Sequence, residues 1–198
     1  VGRVIIWING TFGVGKTQVA HELQRRLSGS VIADPELLGF GIQRMYPPQA
    51  RPDFQETPWW APVLVGILAD ISRLHAGYVI VPMTLADDAR HNRVMSGLRD
   101  AGCDVRQVTL LADGDVVRRR LRGRLEFRSG WAGQRVDRLT KVLRDPAYAP
   151  HVDTSKLDIT RVVDETARLV GVRIAPADAS RLRTSLRRLR VKLGHIRR

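Results

Sequence analysis

Eight residues early in the chain, Gly10-Thr11-Phe12-Gly13-Val14-Gly15-Lys16-Thr17, carry the plainest chemistry. They fit the pattern G-x-x-x-x-G-K-[ST], in which a glycine-rich turn wraps its backbone N–H groups around phosphate oxygens. The positive end of the following helix adds to that attraction. Lys16 is placed for the β- and γ-phosphates, and Thr17 for Mg²⁺. The spacing therefore predicts a nucleoside triphosphate with Mg²⁺ as the bound group.

Other residues offer the rest of a phosphoryl transfer. Asp34 falls at the end of a predicted second strand, taken to lie beside the phosphate loop. A carboxylate there accepts a proton from an attacking hydroxyl. The competing reading is a helix cap, since Asp34-Pro35 is a natural start. Glu36 is a candidate for the substrate or the Mg²⁺ shell, or a first-turn acid placed for the helix dipole. Thr84 follows the third predicted strand, at Val81-Pro82-Met83-Thr84, where an acid that assists Mg²⁺ is missing. Asp87 and Asp88 read as the next helix start. Arginines crowd residues 118–128, and their flat, forked guanidinium groups suit bases and phosphates. Arg120-x-x-Gly123-Arg124 resembles the start of the mobile lid of adenylate kinases. The resemblance implies that Arg120 stacks on adenine and Arg124 reaches the transferring phosphoryl group; Arg128, further along the same cluster, is a candidate for the substrate. The competing reading is a solvated basic helix face. Asp53, Phe54, Gln55, Trp59 and Trp60 sit in a proline-rich stretch, residues 47–62, too irregular for a strand. Asp53 and Gln55 suit hydroxyls. The aromatic residues suit a base, a sugar or an apolar groove, or else a core cap beneath a loop.

Alternating elements must position these groups. Val4–Ile8 is a short apolar run of strand type, and the apolar spacing of Val19, Ala20, Leu23 and Leu27 is helical. Further strands are predicted near Val31, at Tyr78–Pro82, at Asp104–Leu111 and at His151–Thr154. Helices are predicted from Asp34, over 61–75, near 89–101, through much of 113–145 and over 159–170. This alternation predicts an α/β three-layer fold with a five-stranded parallel sheet, of P-loop nucleoside-kinase-like type. Ligands then sit at the carboxyl ends of the strands, where Asp34, Thr84 and Asp153 fall. Residues 1–175 read as one domain with a lid over about 118–138.

Composition narrows the function. The chain has 198 residues, 43% of them hydrophobic, enough for one core. No run reaches the ~20 apolar residues of a membrane span. The single cysteine, Cys103, forms no internal disulfide and reads as a small core residue. These features, with no signal-peptide pattern, predict a cytoplasmic protein. No Asn-Lys-x-Asp base-reading motif of GTPases occurs, and the chain is short for a large ATPase. Its size and its arginine cluster point to a small-molecule kinase.

The fragments Ile8–Thr17, Asp34-Pro-Glu-Leu-Leu-Gly39, Asp53-Phe-Gln55, Trp59-Trp60 and Val81-Pro-Met-Thr-Leu85 together resemble the tunicamycin-resistance ATP-binding family. The lid arginines and His151-Val-Asp-Thr154 continue the likeness, which spans roughly residues 3–172. It implies ATP-dependent transfer of a phosphoryl group to a hydroxyl of a tunicamycin-type nucleoside antibiotic, hence resistance. A non-catalytic protein that sequesters the drug under ATP control is the second reading. A kinase of a nucleotide, sugar or shikimate-like acid is the third.

The net charge is +13, and residues 173–198 hold nine of the 33 basic residues with one acid, Asp178. Leu182, Leu186, Leu189 and Leu193 put one apolar stripe on a predicted basic C-terminal helix, 176–198. Such a helix packs on the body or a second subunit as a homodimer, or rests peripherally on an anionic membrane. Nucleic acid has only the charge in its favour, with no aromatic interleaving.

Overall fold

The computed structural model describes residues 4–122 and 131–177. Five parallel strands make one sheet: β1 (Val4–Gly10), β2 (Ser30–Ile32), β3 (Tyr78–Pro82), β4 (Asp104–Leu111) and β5 (His151–Asp153), in the order β2-β3-β1-β4-β5. In β1 the pleat sends Val4, Ile6 and Ile8 to one face and Ile5 and Trp7 to the other. All five are buried, as a central parallel strand requires.

Helices α1 (Lys16–Arg26), α5 (Gly114–Arg122), α6 (Trp131–Val142) and α7 (Ile159–Leu169) contribute to the core on the Ile6 face. Helices α2 (Pro35–Met45), α3 (Trp60–Leu74) and α4 (Asp88–Asp100) cover the Trp7 face. The result is the three-layer α/β fold expected from the sequence. Cys103 is buried and free. No helix among the described residues is long and apolar enough to cross a membrane.

One expectation about placement fails. β3, and not β2, pairs with β1, in register Ile6↔Ile80 and Ile8↔Pro82. β2 lies beyond it, paired with β3. Short β2 is half-buried throughout, as an edge strand is, whereas β3 is almost wholly buried. Asp34 therefore stands two strands from the phosphate loop, about 10 Å across at the usual spacing, and Thr84 takes the adjacent place.

The proline-rich stretch is a loop with two 3-10 turns, Pro48–Ala50 and Phe54–Glu56. At the other end of the domain, Arg26 ties down residue 175. The Ala175 amide donates to the Arg26 carbonyl, and Arg26 Nε donates back to the Ala175 carbonyl, both at 2.7 Å. Of the predicted C-terminal helix, 176–198, residues 176 and 177 are not helical and the rest lies outside the described residues.

Candidate active site

Three glycines shape the turn between β1 and α1. Gly10, Gly13 and Gly15 have φ of +145°, +75° and +112°, values that L side chains rarely adopt. At Gly13 a Cβ would also run into Leu121 of α5. Thr11 and Val14 are buried, while the Phe12 ring is 39% exposed.

Lys16 opens α1 and is only 8% exposed. Its Nζ donates to the Gly10 carbonyl at 2.9 Å, the Thr11 carbonyl at 3.0 Å and Thr84 Oγ1 at 2.8 Å. Thr84 Oγ1 itself donates to the Gly10 carbonyl at 2.8 Å. The ammonium is thus gathered by neutral oxygens at the rim of the loop, with the Phe12 ring centroid 5.7 Å away. Thr17 follows, half-buried, in the first turn of α1.

Asn9 is a residue that motif reading passed over. Its Nδ2 donates to the Leu85 carbonyl at 2.8 Å, and its Oδ1 accepts from the Leu85 amide at 2.9 Å and the Gly10 amide at 2.8 Å. It clamps the segment after β3 to the start of the phosphate loop. The available signal was a polar residue ending a run of buried apolar ones.

On the β2–β3 side of the loop, Asp34 caps α2: its Oδ1 accepts from the Glu36 amide at 3.0 Å. Both side chains are half-buried. Asp53 caps the Phe54–Glu56 turn in the same way, at 3.1 Å. Gln55 reaches across to the sheet: its Nε2 donates to the Thr84 carbonyl at 3.1 Å, and its Oε1 accepts from Arg90 Nη1 at 3.3 Å. Phe54 packs over Gly39 of α2, where a Cβ would collide with its ring. The glycine of Asp34-Pro-Glu-Leu-Leu-Gly39 is therefore a seat for Phe54. Trp60 is corrected outright. It is 0% exposed, part of the core with Leu64 and Trp7, and meets Phe54 at 5.8 Å between centroids. It caps the core and has no face for a ligand. Trp59, 64% exposed, keeps one.

On the other side of the phosphate loop, Arg120 joins two segments. Nη1 donates to the Val14 carbonyl at 3.1 Å and Thr154 Oγ1 at 3.0 Å, and Nη2 donates to the Thr154 carbonyl at 2.8 Å. Desolvation first, then the neighbouring Arg119, lowers its pKa, while Asp153 opposes them. Arg118 faces away, paired with Asp115 and Asp137. Arg124 and Arg128 lie outside the described residues. The structure thus brings Lys16, Thr84, Gln55 and Arg90 into one contiguous line and sets Arg120 against the other flank of the loop. Arg90 had no sequence signal: it is one of many arginines, and its place comes from tertiary contact.

Comparison with known proteins agrees with this architecture. The model of the AAA domain family matches residues 5–146. Among solved structures, the Deinococcus radiodurans tunicamycin resistance protein superposes with a TM-score of 0.75 at 38% identity, covering 87% of this chain and 99% of that one. A gluconokinase from Sinorhizobium meliloti 1021 gives a TM-score of 0.64 at 17% identity, covering 85% of this chain and 92% of that one. A shikimate kinase from Bacteroides thetaiotaomicron gives 0.54 at 18%, covering 85% and 99%. The last two share the fold. Among curated proteins, none matches the chain.

Proposed function

From the chain's membership of the AAA domain family, and of the family of the tunicamycin resistance protein, we propose that it is an ATP-dependent phosphotransferase. Its acceptor is a hydroxyl of a nucleoside antibiotic of tunicamycin type, and its effect is resistance. The observation that carries this reading is the loop of positive-φ glycines around Lys16, with Asp34 facing the same carboxyl edge two strands away.

The residues present fit ATP with Mg²⁺. Among the described residues no group of three or more His, Cys, Asp or Glu gathers to hold a metal. Thr17 would hold the ion by its hydroxyl, with phosphate and water as further ligands, as is common for Mg²⁺. When bound it neutralises charge on the β- and γ-phosphates. The backbone N–H groups of Gly13 to Lys16 cradle the phosphates, and Thr11, Phe12 and Val14 shape the loop. Lys16 exchanges its carbonyl and Thr84 partners for phosphate oxygens. Asp34 takes the proton of the acceptor hydroxyl as that oxygen attacks the γ-phosphorus. The bond from the γ-phosphorus to the β–γ bridging oxygen breaks, and ADP leaves. Arg120 and Arg124 serve the nucleotide and the moving phosphoryl group, and Arg128 the acceptor. Asp53, Gln55, Phe54 and Trp59 flank the acceptor. Trp59, Val63 and Ile67 put exposed apolar surface at successive turns along α3, which suits the fatty chain of such a drug.

Incubation with Mg-ATP and a panel of nucleoside antibiotics, read by mass, tests the proposal. The expected result is a gain of one phosphoryl group on a drug. Drug-dependent thermal shifts with no mass change would favour the sequestering reading. That reading draws support from Thr84, which stands at the end of β3 where an acid is absent.

For the segment after residue 175 we retain a basic helix at a membrane surface, or one packed on the body or a second subunit. Co-sedimentation of the full chain with anionic vesicles at low salt, lost at high salt, is the expected sign of the first. No binding at low salt rules it out.

A further inference from the structure

Gln55 and Arg90 form a polar edge that the phosphate chemistry does not use. The carboxamide of Gln55 has a fixed orientation. The Thr84 carbonyl can only accept, so it must face Nε2, and Arg90 can only donate, so it must face Oε1. Each amide atom keeps one further valence: an N–H on Nε2 and a lone pair on Oε1. Arg90 adds its own N–H groups on the Oε1 side. It lies half-buried in the first turn of α4, and among the described residues no carboxylate pairs with it. A partly desolvated guanidinium bonded to one neutral amide at 3.3 Å retains strong donors for a ligand oxygen.

From the amide nitrogen through the amide oxygen to the guanidinium, this edge reads donor, acceptor, donor. It lies at the carboxyl end of β3, one residue from Lys16 through Thr84, on the acceptor side of the phosphate loop. The complementary pattern is acceptor, donor, acceptor, which a cyclic imide presents as carbonyl, N–H, carbonyl. We propose that Gln55 and Arg90 are the specificity-determining pair of the acceptor site and read the imide edge of a 2,4-dioxopyrimidine ring. A cytosine edge offers acceptor, acceptor, donor, which sets acceptor against acceptor and donor against donor. The inference rests on the reading of this edge as the acceptor site of a phosphotransferase, and it names the part of the acceptor that is recognised.

The test uses the full chain with uridine, 3-methyluridine and cytidine as probes, and calorimetric affinity as the readout. Uridine should bind about 10–100-fold tighter than either of the others, the usual discrimination of a good bidentate base contact. Gln55→Leu and Arg90→Met should each collapse that preference while leaving ATP affinity unchanged, and Arg90→Lys should keep part of it. Equal affinity for the three probes, no uridine binding at millimolar concentration, or a preference that survives both substitutions overturns the proposal. The comparison of probes on the unaltered chain stands even if a variant fails to fold. Phosphoryl transfer to an antibiotic without imide preference sinks this inference alone. Imide preference without any transfer sinks the phosphotransferase reading and leaves Gln55 and Arg90 as the imide-reading edge of a binding site.

Discussion

Lys16 and Gln55 are joined through a single residue, Thr84, yet the segments that carry them are built by different physics. The phosphate loop is local. Its shape follows from glycines at positive φ, from the strand before it and from the helix after it, all within residues 4–26. The proposed acceptor flank is assembled from distance. Phe54 needs Gly39, Gln55 needs Thr84 and Arg90, and the first turn of α4 needs Tyr148. The difference bears on how each side fails. A change in the loop should remove one function sharply and leave the body intact. A change on the acceptor flank should spread through packing before it reaches a ligand.

The largest effect should come from the local side. Lys16→Ala removes the one ammonium within the loop and leaves the glycine conformations untouched. Hydrogen bonds to charged groups contribute about 1.5–3 kcal/mol each, so two lost phosphate contacts predict a fall in ATP affinity of roughly 10²–10⁴-fold. Calorimetry measures this directly, and unchanged affinity would break the phosphate-loop assignment. The melting curve should stay two-state, since no core side chain is altered.

Asp34→Asn probes the first residue of the proposed acceptor flank, where the observed cap and the proposed base coincide. Asn accepts from the Glu36 amide as well as Asp does, so the helix start is preserved. Loss of a general base typically lowers turnover about 10²–10⁴-fold, with nucleotide affinity nearly unchanged. Turnover within a factor of about three of the parent would leave Asp34 as a cap only.

Gly39→Ala then tests assembly at a distance. The added methyl group meets the Phe54 ring, and Phe54 also packs against Phe40 at 5.7 Å and Trp60 at 5.8 Å. Overpacking of this kind costs about 1–3 kcal/mol, a fall of several degrees in Tm. Phe54→Leu in the same chain should recover part of it by giving the methyl group room. ATP affinity should not follow the loss. If it does, the two flanks are mechanically one, and the contrast between them fails.

The same contrast explains what could be read from the sequence. The glycine loop, the alternation of strands and helices, the cap at Asp34 and the helix start at Asp87 are local patterns, and they appear in the structure where spacing put them. The strand order is not local. Nothing in the residues around Asp34 shows that β3 inserts between β2 and β1, so the aspartate was placed one strand too near. Trp60 looked like its neighbour Trp59, because adjacent aromatic residues at a helix start differ only in which face turns inward. Arg90 and Asn9 gain their meaning from Gln55 and Leu85, 35 and 76 residues away in sequence, and no motif spans such gaps.

The smallest effect concerns the anchor of the helix that carries Arg90. Tyr148 is 1% exposed, and its hydroxyl donates to Asp88 Oδ1 at 2.6 Å in the first turn of α4. Burial first, and then the hydrogen bond and charge of Asp88, raise the phenol's pKa above its ordinary value near 10. The folded state therefore holds the proton more tightly than the unfolded chain does. This contribution to stability is fully present below pH 10 and is lost as pH rises from there through the folded value. Tyr148→Phe should abolish that alkaline slope and lower stability at neutral pH by about 1.5 kcal/mol, the lower end for a bond to a charged acceptor. Melting curves at neutral pH and above pH 10, for parent and variant, measure both. Because Asp88 and Arg90 share one helical turn, the variant should also weaken binding on the acceptor flank more than ATP binding at the phosphate loop. Equal weakening of the two would mean that the first turn of α4 serves the whole carboxyl edge, and that the acceptor flank has no separate anchor.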